Sequence, residues 1–254
     1  MLRDALLAVA LIASPAAAAL AQPCGAAQAS MSSADRVYGH LSYGDAPPSD
    51  LVATPDGFAL NRCLVRSDVV PDLRRLLAAA ARDPVATATL RGLSCHRSII
   101  RQADVFCRER PVDGAADRAI SVAPPGHSEH STGYAIDFAI RPSPNYPDAE
   151  ACMAATAASR WLVANAPAYG FEMSFPAGNR QNVKWEPWHW RWVGATAAMP
   201  GAARARFVFA KARTDFPASP AVIDTIVLTD VPTPPVAIAA PPWQEPKARR
   251  RRRR

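Results

Sequence analysis

Two polar motifs, far apart in the chain, limit the folds that this sequence can adopt more than any other feature does. The first reads S-E-H-S-T-G-Y-A-I-D over residues 128–137, and the second reads E-P-W-H over residues 186–189. Next to each motif is a segment in which every second side chain is large and apolar. This two-residue period is that of a β-strand. If the polar residues of both motifs act together, the fold has to bring the two segments side by side.

The alternation assigns the side chains of both segments to opposite faces. In the strand predicted for residues 133–140, Asp137 lies between two alanines on its own face, and these small side chains leave room for an ion. In the second segment, residues 188–193, three tryptophans at alternate positions can pack into a core. His189 then lies on the other face and points to the site.

The polar residues of both motifs match the ligands of a catalytic zinc ion. His130, Asp137 and His189 offer two imidazoles and a carboxylate, and three protein ligands leave one position for water. Glu186 would act as the general base for that water. Because Glu186 is an odd number of residues from His189, strict alternation would turn it away from the site. Pro187 is expected to mark an irregular strand entry that corrects this.

A chance constellation is the alternative to a metal site, since a single histidine or aspartate in a strand is usually structural. The joint pattern S-x-H-x-x-G-x-A-x-D followed by E-x-W-H is much longer than a typical short motif, and this favours the metal site. Gly133 fits the bend that lets His130 fold back over the strand. His127 precedes the pattern and is expected at the surface or behind the ligands.

Four segments of the chain also resemble one known family. They are C-H-R-S-I-I-R-Q at 95–102, A-P-P-G-H-S-E-H-S-T-G-Y-A-I-D at 123–137, R-W-L-V-A-N-A-P-A-Y-G-F at 160–171 and W-E-P-W-H-W-R-W-V-G at 185–194. In these segments the chain resembles the VanY-type D-alanyl-D-alanine carboxypeptidases, which are zinc peptidases of bacterial cell-wall metabolism. The resemblance covers roughly residues 36–200, and its second and fourth segments are the most specific.

The resemblance implies an activity and a role for each residue of the site. The implied reaction is zinc-dependent removal of a terminal D-alanine from peptidoglycan stem peptides, with one Zn²⁺ per chain. By resemblance, zinc is bound by His130, Asp137 and His189, the catalytic base is Glu186, and the substrate is contacted by Arg97, Ser128 and Gln102. The guanidinium of Arg97 would hold the substrate or stabilise the oxyanion.

The substrate preference and the reaction of the site have alternative interpretations. The chain departs from the family at Cys95 and His96, where Gly-Tyr is usual, and at Ile99, where an aromatic residue is common. These departures concern the pocket wall and the substrate preference. An L,D-carboxypeptidase or a peptidoglycan endopeptidase would share the fold. A non-catalytic wall-binding module is a further alternative, but binding alone does not need a general base such as Glu186.

The two ends of the chain predict an exported protein with one central domain. Residues 1–21 have the charged start, apolar run and A-x-A end of a secretory signal peptide. A linker at 22–35, a zinc carboxypeptidase-like domain at 36–215 and a proline-rich, disordered tail at 216–254 follow. We expect a periplasmic or secreted location with no transmembrane segment in the mature chain. Five cysteines then predict up to two disulfides and one spare thiol, without fixing their pairing.

The net charge of +7 belongs to the end of the chain. Residues 247–254 carry seven positive charges, including the run Arg249 to Arg254, and without them 22 basic residues balance 22 acidic ones. The domain is therefore not a basic surface for nucleic acid, and an exported chain is not expected to meet nucleic acid. The tail has two interpretations: a solvated end without a specific role, or a tether to anionic envelope polymers or lipid headgroups.

Between its ends, the chain predicts a mixture of helices and strands. An apolar stripe, a serine N-cap and proline or glycine stops place helices at 67–82, 98–109, 148–165 and 202–213, and a strand at 88–95. Because the strands do not alternate regularly with the helices, the fold class is α+β rather than a doubly wound sheet. We expect a small antiparallel sheet that carries the zinc site and packs against several helices.

Overall fold

The structure is a computed structural model, and it describes residues 31–32, 36–86, 89–108, 114–143 and 145–223. The predicted signal peptide at 1–21 and the arginine run of the tail lie outside the described residues. No described helix is both long enough and apolar enough to cross a membrane.

The strands of the described residues form three antiparallel sheets. They are β1 (Met31–Ser32), β2 (Arg36–Val37), β3 (His40–Leu41), β4 (Leu51–Ala53), β5 (Leu64–Arg66), β6 (Thr89–Ser94), β7 (Ala135–Arg141), β8 (Phe171–Met173) and β9 (His189–Trp192). The largest sheet has the order β6-β7-β9-β8. All of its neighbouring strands are antiparallel. The predicted α+β fold with a small antiparallel sheet is confirmed.

Short helices surround these sheets. They are α1 (Val70–Ala80), α2 (Ile99–Arg108), α3 (Ala115–Ala119), α4 (Ala157–Asn165), α5 (Ala202–Val208) and α6 (Ala210–Asp215). Ser98 caps α2, since its Oγ accepts a hydrogen bond from the backbone N–H of Arg101 at 3.2 Å. Residues 95–98, which join β6 to α2, have no regular secondary structure.

The central sheet brings the two polar motifs together. Strands β7 and β9 are neighbours, and their register places Asp137 directly opposite His189. On the other side of β7, Ser94 at the end of β6 is also paired with Asp137. The site therefore lies where three strands meet, and residues that are distant in sequence become adjacent.

The opposite face of β7 and β9 forms the core. Trp190 and Trp192 are fully buried, and Tyr134 stacks on Trp192 with 5.8 Å between the ring centroids. Ile136 and Phe138 are fully buried on the same face of β7. Burial of a large apolar side chain contributes about 1.5–3 kcal/mol. A one-residue slip would turn all of them outward, so this face fixes the register that aligns the site.

Two predicted helices are interrupted in the structure. The helix predicted at 148–165 is a 3-10 helix at Ala151–Ala155 followed by α4. Thr156 separates the two, since it is extended and its side chain caps α4. The helix predicted at 202–213 is split at Phe209, whose backbone is not helical and whose buried ring packs edge-on against Tyr43. In both cases a local cap or a tertiary contact overrides the helical periodicity.

The packed chain continues beyond residue 215, where the domain was predicted to end. The backbone N–H of Val222 donates to Glu172 Oε2 at 3.2 Å, and its carbonyl accepts a hydrogen bond from Arg213 at 3.0 Å. Val222 is buried. The first residues of the predicted proline-rich tail therefore dock against the edge strand β8.

Candidate metal centre and active site

Three side chains converge at the junction of β6, β7 and β9. His130 Nε2 lies 3.1 Å from Asp137 Oδ2, and His189 Nδ1 lies 2.9 Å from Asp137 Oδ1. One ligand atom from each residue lies within 4.8 Å of the others, and all three residues are buried. Two imidazole nitrogens and a carboxylate oxygen at this separation suit a zinc ion.

His130 reaches the site from a tight turn just before β7. The turn is a 3-10 helix at Glu129–Thr132, and its N-cap Ser128 accepts a hydrogen bond from the backbone N–H of His130 at 3.3 Å. Gly133 ends the turn with φ +75°, and a Cβ atom there would lie 2.9 Å from the side chain of Leu51. A glycine is therefore needed at the predicted bend.

Each histidine uses its second ring nitrogen to contact the surrounding protein. His130 Nδ1 lies 2.8 Å from the backbone carbonyl of Cys95, and His189 Nε2 lies 3.0 Å from Glu129 Oε2. An acceptor at that position requires the N–H there, so His130 Nε2 and His189 Nδ1, the nitrogens that face Asp137, are the ones that could bind a metal ion. Outer partners of this kind orient ligands in metal sites.

Glu129 is a buried residue of the candidate site that the sequence did not predict. Besides His189, its carboxylate accepts hydrogen bonds from Arg191 at 2.8 Å, Ser174 at 2.5 Å and Tyr43 at 3.4 Å. Burial alone would raise its pKa, but Arg191 and the hydrogen bonds lower it from 4.5 to about 2. The sequence signal for a buried acidic partner was the alternation of β9, because it places the charged Arg191 on the same face as His189.

The charge state of the ligands follows from their contacts. Burial alone would raise the pKa of Asp137, but His130 and His189 hold it well below its usual range. Burial alone would lower the pKa of His189, but hydrogen bonds to Asp137 and Glu129 raise it to about 10. Without a metal ion, His189 is therefore protonated on both ring nitrogens and donates one N–H to each of two carboxylates. A cation can take the place of the proton that faces Asp137.

Glu186 lies beside this group on an irregular strand entry. The backbone N–H of His189 donates to the carbonyl of Glu186 at 3.0 Å, which closes a turn around Pro187 before β9 begins. This turn is the predicted irregularity. Glu186 is buried, and burial raises the pKa of its carboxyl from 4.5 to about 8. A carboxyl group with this pKa can exchange a proton near neutral pH.

A cavity of about 610 Å³ is lined by the three candidate ligand residues. Its lining includes Glu186, Ser128, Arg97 and the half-buried His127. His127 is not among the residues whose ligand atoms converge in the described part of the chain, in agreement with its predicted place outside the ligand set. The volume is in the range of sites that hold small ligands.

Arg97 enters the cavity from the segment between β6 and α2. Its Nε donates to Gln102 Oε1 at 2.5 Å, and Gln102 Nε2 in turn donates to the carbonyl of Ala123 at 2.5 Å. Burial lowers the pKa of Arg97, although Asp137 and Glu186 oppose this effect. Gln102 is fully buried and is not part of the cavity lining. It therefore lies behind Arg97 rather than at the predicted place in contact with substrate.

Comparison with known proteins assigns the family. The sequence model described as "VanY: D-alanyl-D-alanine carboxypeptidase" matches residues 62–195. This chain belongs to the VanY family. The match includes all three candidate ligand residues, Glu186 and Arg97, and it excludes the predicted signal peptide and tail.

The chain is also similar to individual proteins. The chain is 32% identical over 161 residues to "Putative carboxypeptidase YodJ" of Bacillus subtilis (strain 168). These residues cover 61% of this chain and 57% of that protein, so the chain spans little more than half of its relative's length. The structure is similar to that of the LdcB LD-carboxypeptidase, at 30% identity and a TM-score of 0.54, over 68% of this chain and 82% of that one. It also matches the vancomycin resistance D,D-pentapeptidase VanY in complex with Zn(II), at 22% identity and a TM-score of 0.46, over 66% and 92% of the two chains.

Proposed function

We propose that this protein is a zinc-dependent carboxypeptidase that removes the terminal D-alanine from peptidoglycan stem peptides. The observation that carries this proposal is the convergence of His130, Asp137 and His189 beside the buried Glu186, at the base of one cavity. Membership of a carboxypeptidase family is consistent with it. We further propose that the protein acts after export, in the compartment that holds peptidoglycan.

The nitrogens of His130 and His189 that face Asp137, together with the carboxylate of Asp137, would hold the zinc ion. Zinc at such a site lowers the pKa of a bound water toward about 7 and polarises the carbonyl of the scissile bond. Asp137 is charged at neutral pH and needs no deprotonation to bind a cation. The hydrogen bonds to the carbonyl of Cys95 and to Glu129 keep both imidazoles in the orientation that ligation requires.

Glu186 would act as the general base and then as the acid. Its carboxylate takes the proton of the attacking water, and the same proton passes to the amine nitrogen of the released D-alanine. Burial favours this role because it raises the pKa of the carboxyl to about 8, close to neutral pH. A wall-binding module without catalysis would gain nothing from a buried carboxyl of this kind.

Arg97 and Ser128 would position the substrate. The guanidinium of Arg97 is held by Gln102 and faces the cavity, where its planar donors can bind a carboxylate or a developing oxyanion. Ser128 presents its hydroxyl at the cavity wall beside the turn that carries His130. Gln102 would act through Arg97, so we assign it a positioning role.

The cut site has two candidates, and both release D-alanine. A D,D-carboxypeptidase acts on the stem pentapeptide, and an L,D-carboxypeptidase acts on the tetrapeptide. The D,D activity is our first proposal, and the similarity to the LdcB LD-carboxypeptidase favours the L,D activity as the second candidate.

Incubation with purified muropeptides, followed by mass spectrometry, tests the function and the cut site together. A mass loss of one alanine from the pentapeptide or from the tetrapeptide identifies the bond, and a chelator should abolish it. His189→Ala should lose both zinc and activity. Unchanged muropeptides with zinc-loaded protein, or full activity in the chelator, would refute the proposal.

A further inference from the structure

The segment that joins β6 to α2 contacts the candidate metal centre through its backbone. The carbonyl of Cys95 accepts the hydrogen bond from His130 Nδ1 at 2.8 Å, and the backbone N–H of Arg97 donates to the carbonyl of His130 at 3.2 Å. Residues 95 and 97 therefore hold His130, one of the candidate metal ligands, by both its ring and its backbone. The same segment carries the guanidinium that faces the cavity.

The sheet alone does not hold this segment in place. Strand β6 ends at Ser94, and its pairing with β7 is irregular between Gly92 and Ser94. The next anchors come from the β4–β5 hairpin: the N–H of His96 donates to the carbonyl of Leu64 at 2.9 Å, and Cys95 forms a disulfide with Cys63. The support of this ligand therefore comes from an element outside the central sheet.

The disulfide is buried and closely packed. Cys63 and Cys95 are 4% and 2% exposed, and their Cα atoms are 5.0 Å apart. A Cβ atom on the neighbouring Gly92 would lie 2.5 Å from the ring of Phe58 and 3.0 Å from the sulfur of Cys63. Tight surroundings of this kind leave residue 95 little room to move while the bond is intact.

We infer that the Cys63–Cys95 disulfide is a positioning element of the metal centre, which fixes His130 and Arg97 through the backbone of residues 95–97. The inference rests on the proposed function, since it assigns a role in zinc binding and turnover. A disulfide with a purely stabilising role acts mainly by restricting the unfolded chain, so its loss would not change the properties of molecules that are already folded. The Cys63–Cys95 disulfide, as a positioning element, also affects the zinc affinity and kcat of molecules that are already folded.

The test compares three variants of the full chain by zinc titration against a chromophoric chelator. Cys63→Ala/Cys95→Ala removes the positioning disulfide. Cys152→Ser changes the exposed free cysteine and controls for loss of a thiol. Cys107→Ala removes a different disulfide and controls for loss of a crosslink in general.

Titrations are made at a temperature where circular dichroism shows each variant to be folded. The double variant should bind zinc roughly 10- to 100-fold more weakly, as changes behind metal ligands commonly do. Its kcat should fall at saturating zinc, while both controls keep the parent zinc affinity. Wild-type zinc affinity and kcat in the folded double variant would overturn the inference.

Two further outcomes are decisive. If the double variant does not fold, Cys63→Val/Cys95→Ala refills the space of the sulfurs and is measured in its place. Failure of both to fold would also overturn the inference, because the disulfide would then be a requirement of the fold rather than of the metal centre. A wild-type protein that binds no zinc or cleaves no muropeptide would refute the proposed function instead.

Discussion

Glu129→Gln should weaken both the folded state and the candidate metal centre while nearly keeping the shape of one side chain. The Glu129 carboxylate is fully buried and receives hydrogen bonds from His189, Arg191 and Ser174. Glutamine has nearly the same shape, but it replaces one acceptor oxygen by a donor and removes the negative charge. Arg191 is fully buried and would lose one of its two ion pairs, while it keeps the one with Glu172.

The expected loss of stability is about 3 kcal/mol. The pKa of Glu129 is held at about 2 instead of 4.5. Because one pKa unit corresponds to about 1.4 kcal/mol, this difference amounts to about 3 kcal/mol in favour of the folded state at neutral pH. Removing one partner of a buried ion pair costs about 3–5 kcal/mol, which agrees.

The sign of the pH dependence is fixed by the direction of the shift. The folded-state pKa of Glu129 is lower than the unfolded one, so its stabilisation is fully present above pH 4.5 and is lost as the pH falls toward 2. The difference between wild type and variant should therefore be about 3 kcal/mol at pH 6 and about 2 kcal/mol at pH 3.5.

Urea unfolding of the metal-free proteins at both pH values measures this difference. Glu150→Gln is the matched control, since Glu150 is exposed and should give a change within about 0.5 kcal/mol. Zinc titration should in addition show a roughly 10- to 100-fold weaker affinity for Glu129→Gln. A difference below about 1 kcal/mol at pH 6, or one that does not decrease with acid, would refute the reasoning.

Three other changes separate the remaining roles. Glu186→Gln should keep zinc but lose about 10²- to 10⁴-fold in kcat. Because the pKa of Glu186 is raised to about 8, the wild type loses stability as the pH rises from 4.5 through 8, and urea unfolding should show the metal-free variant to be the more stable at pH 8. Arg97→Lys should lower kcat/KM without loss of zinc, since lysine lacks the planar fork, and unchanged kinetics would argue against a substrate contact. If the tail is a tether, deletion of residues 247–254 should leave hydrolysis of a soluble peptide unchanged but reduce sedimentation with isolated cell envelope at low salt, and equal sedimentation would favour the solvated tail without a specific role.

The sequence alone predicted the parts of the site that depend on local period and turn chemistry. Alternation placed Asp137 and His189 on the faces opposite the core and the tryptophans of β9 in the core, and the paired strands have these faces. Gly133 and Pro187 marked the two irregular turns, because their backbone requirements are local. The α+β class followed from the order of the helices and strands. The candidate ligand set followed from the combination of two imidazoles and a carboxylate, which is typical of catalytic zinc sites.

Only the tertiary structure decided which distant groups meet behind the ligands. The contact of His189 with Glu129, the pairing of Cys63 with Cys95 and the contact of Gln102 with the carbonyl of Ala123 all join segments whose separation leaves no periodic signal. The breaks in the predicted helices at 148–165 and 202–213 likewise follow from a cap and from packing. Short-range geometry determines which face a side chain occupies, whereas the partner of a buried charge depends on how the whole core packs.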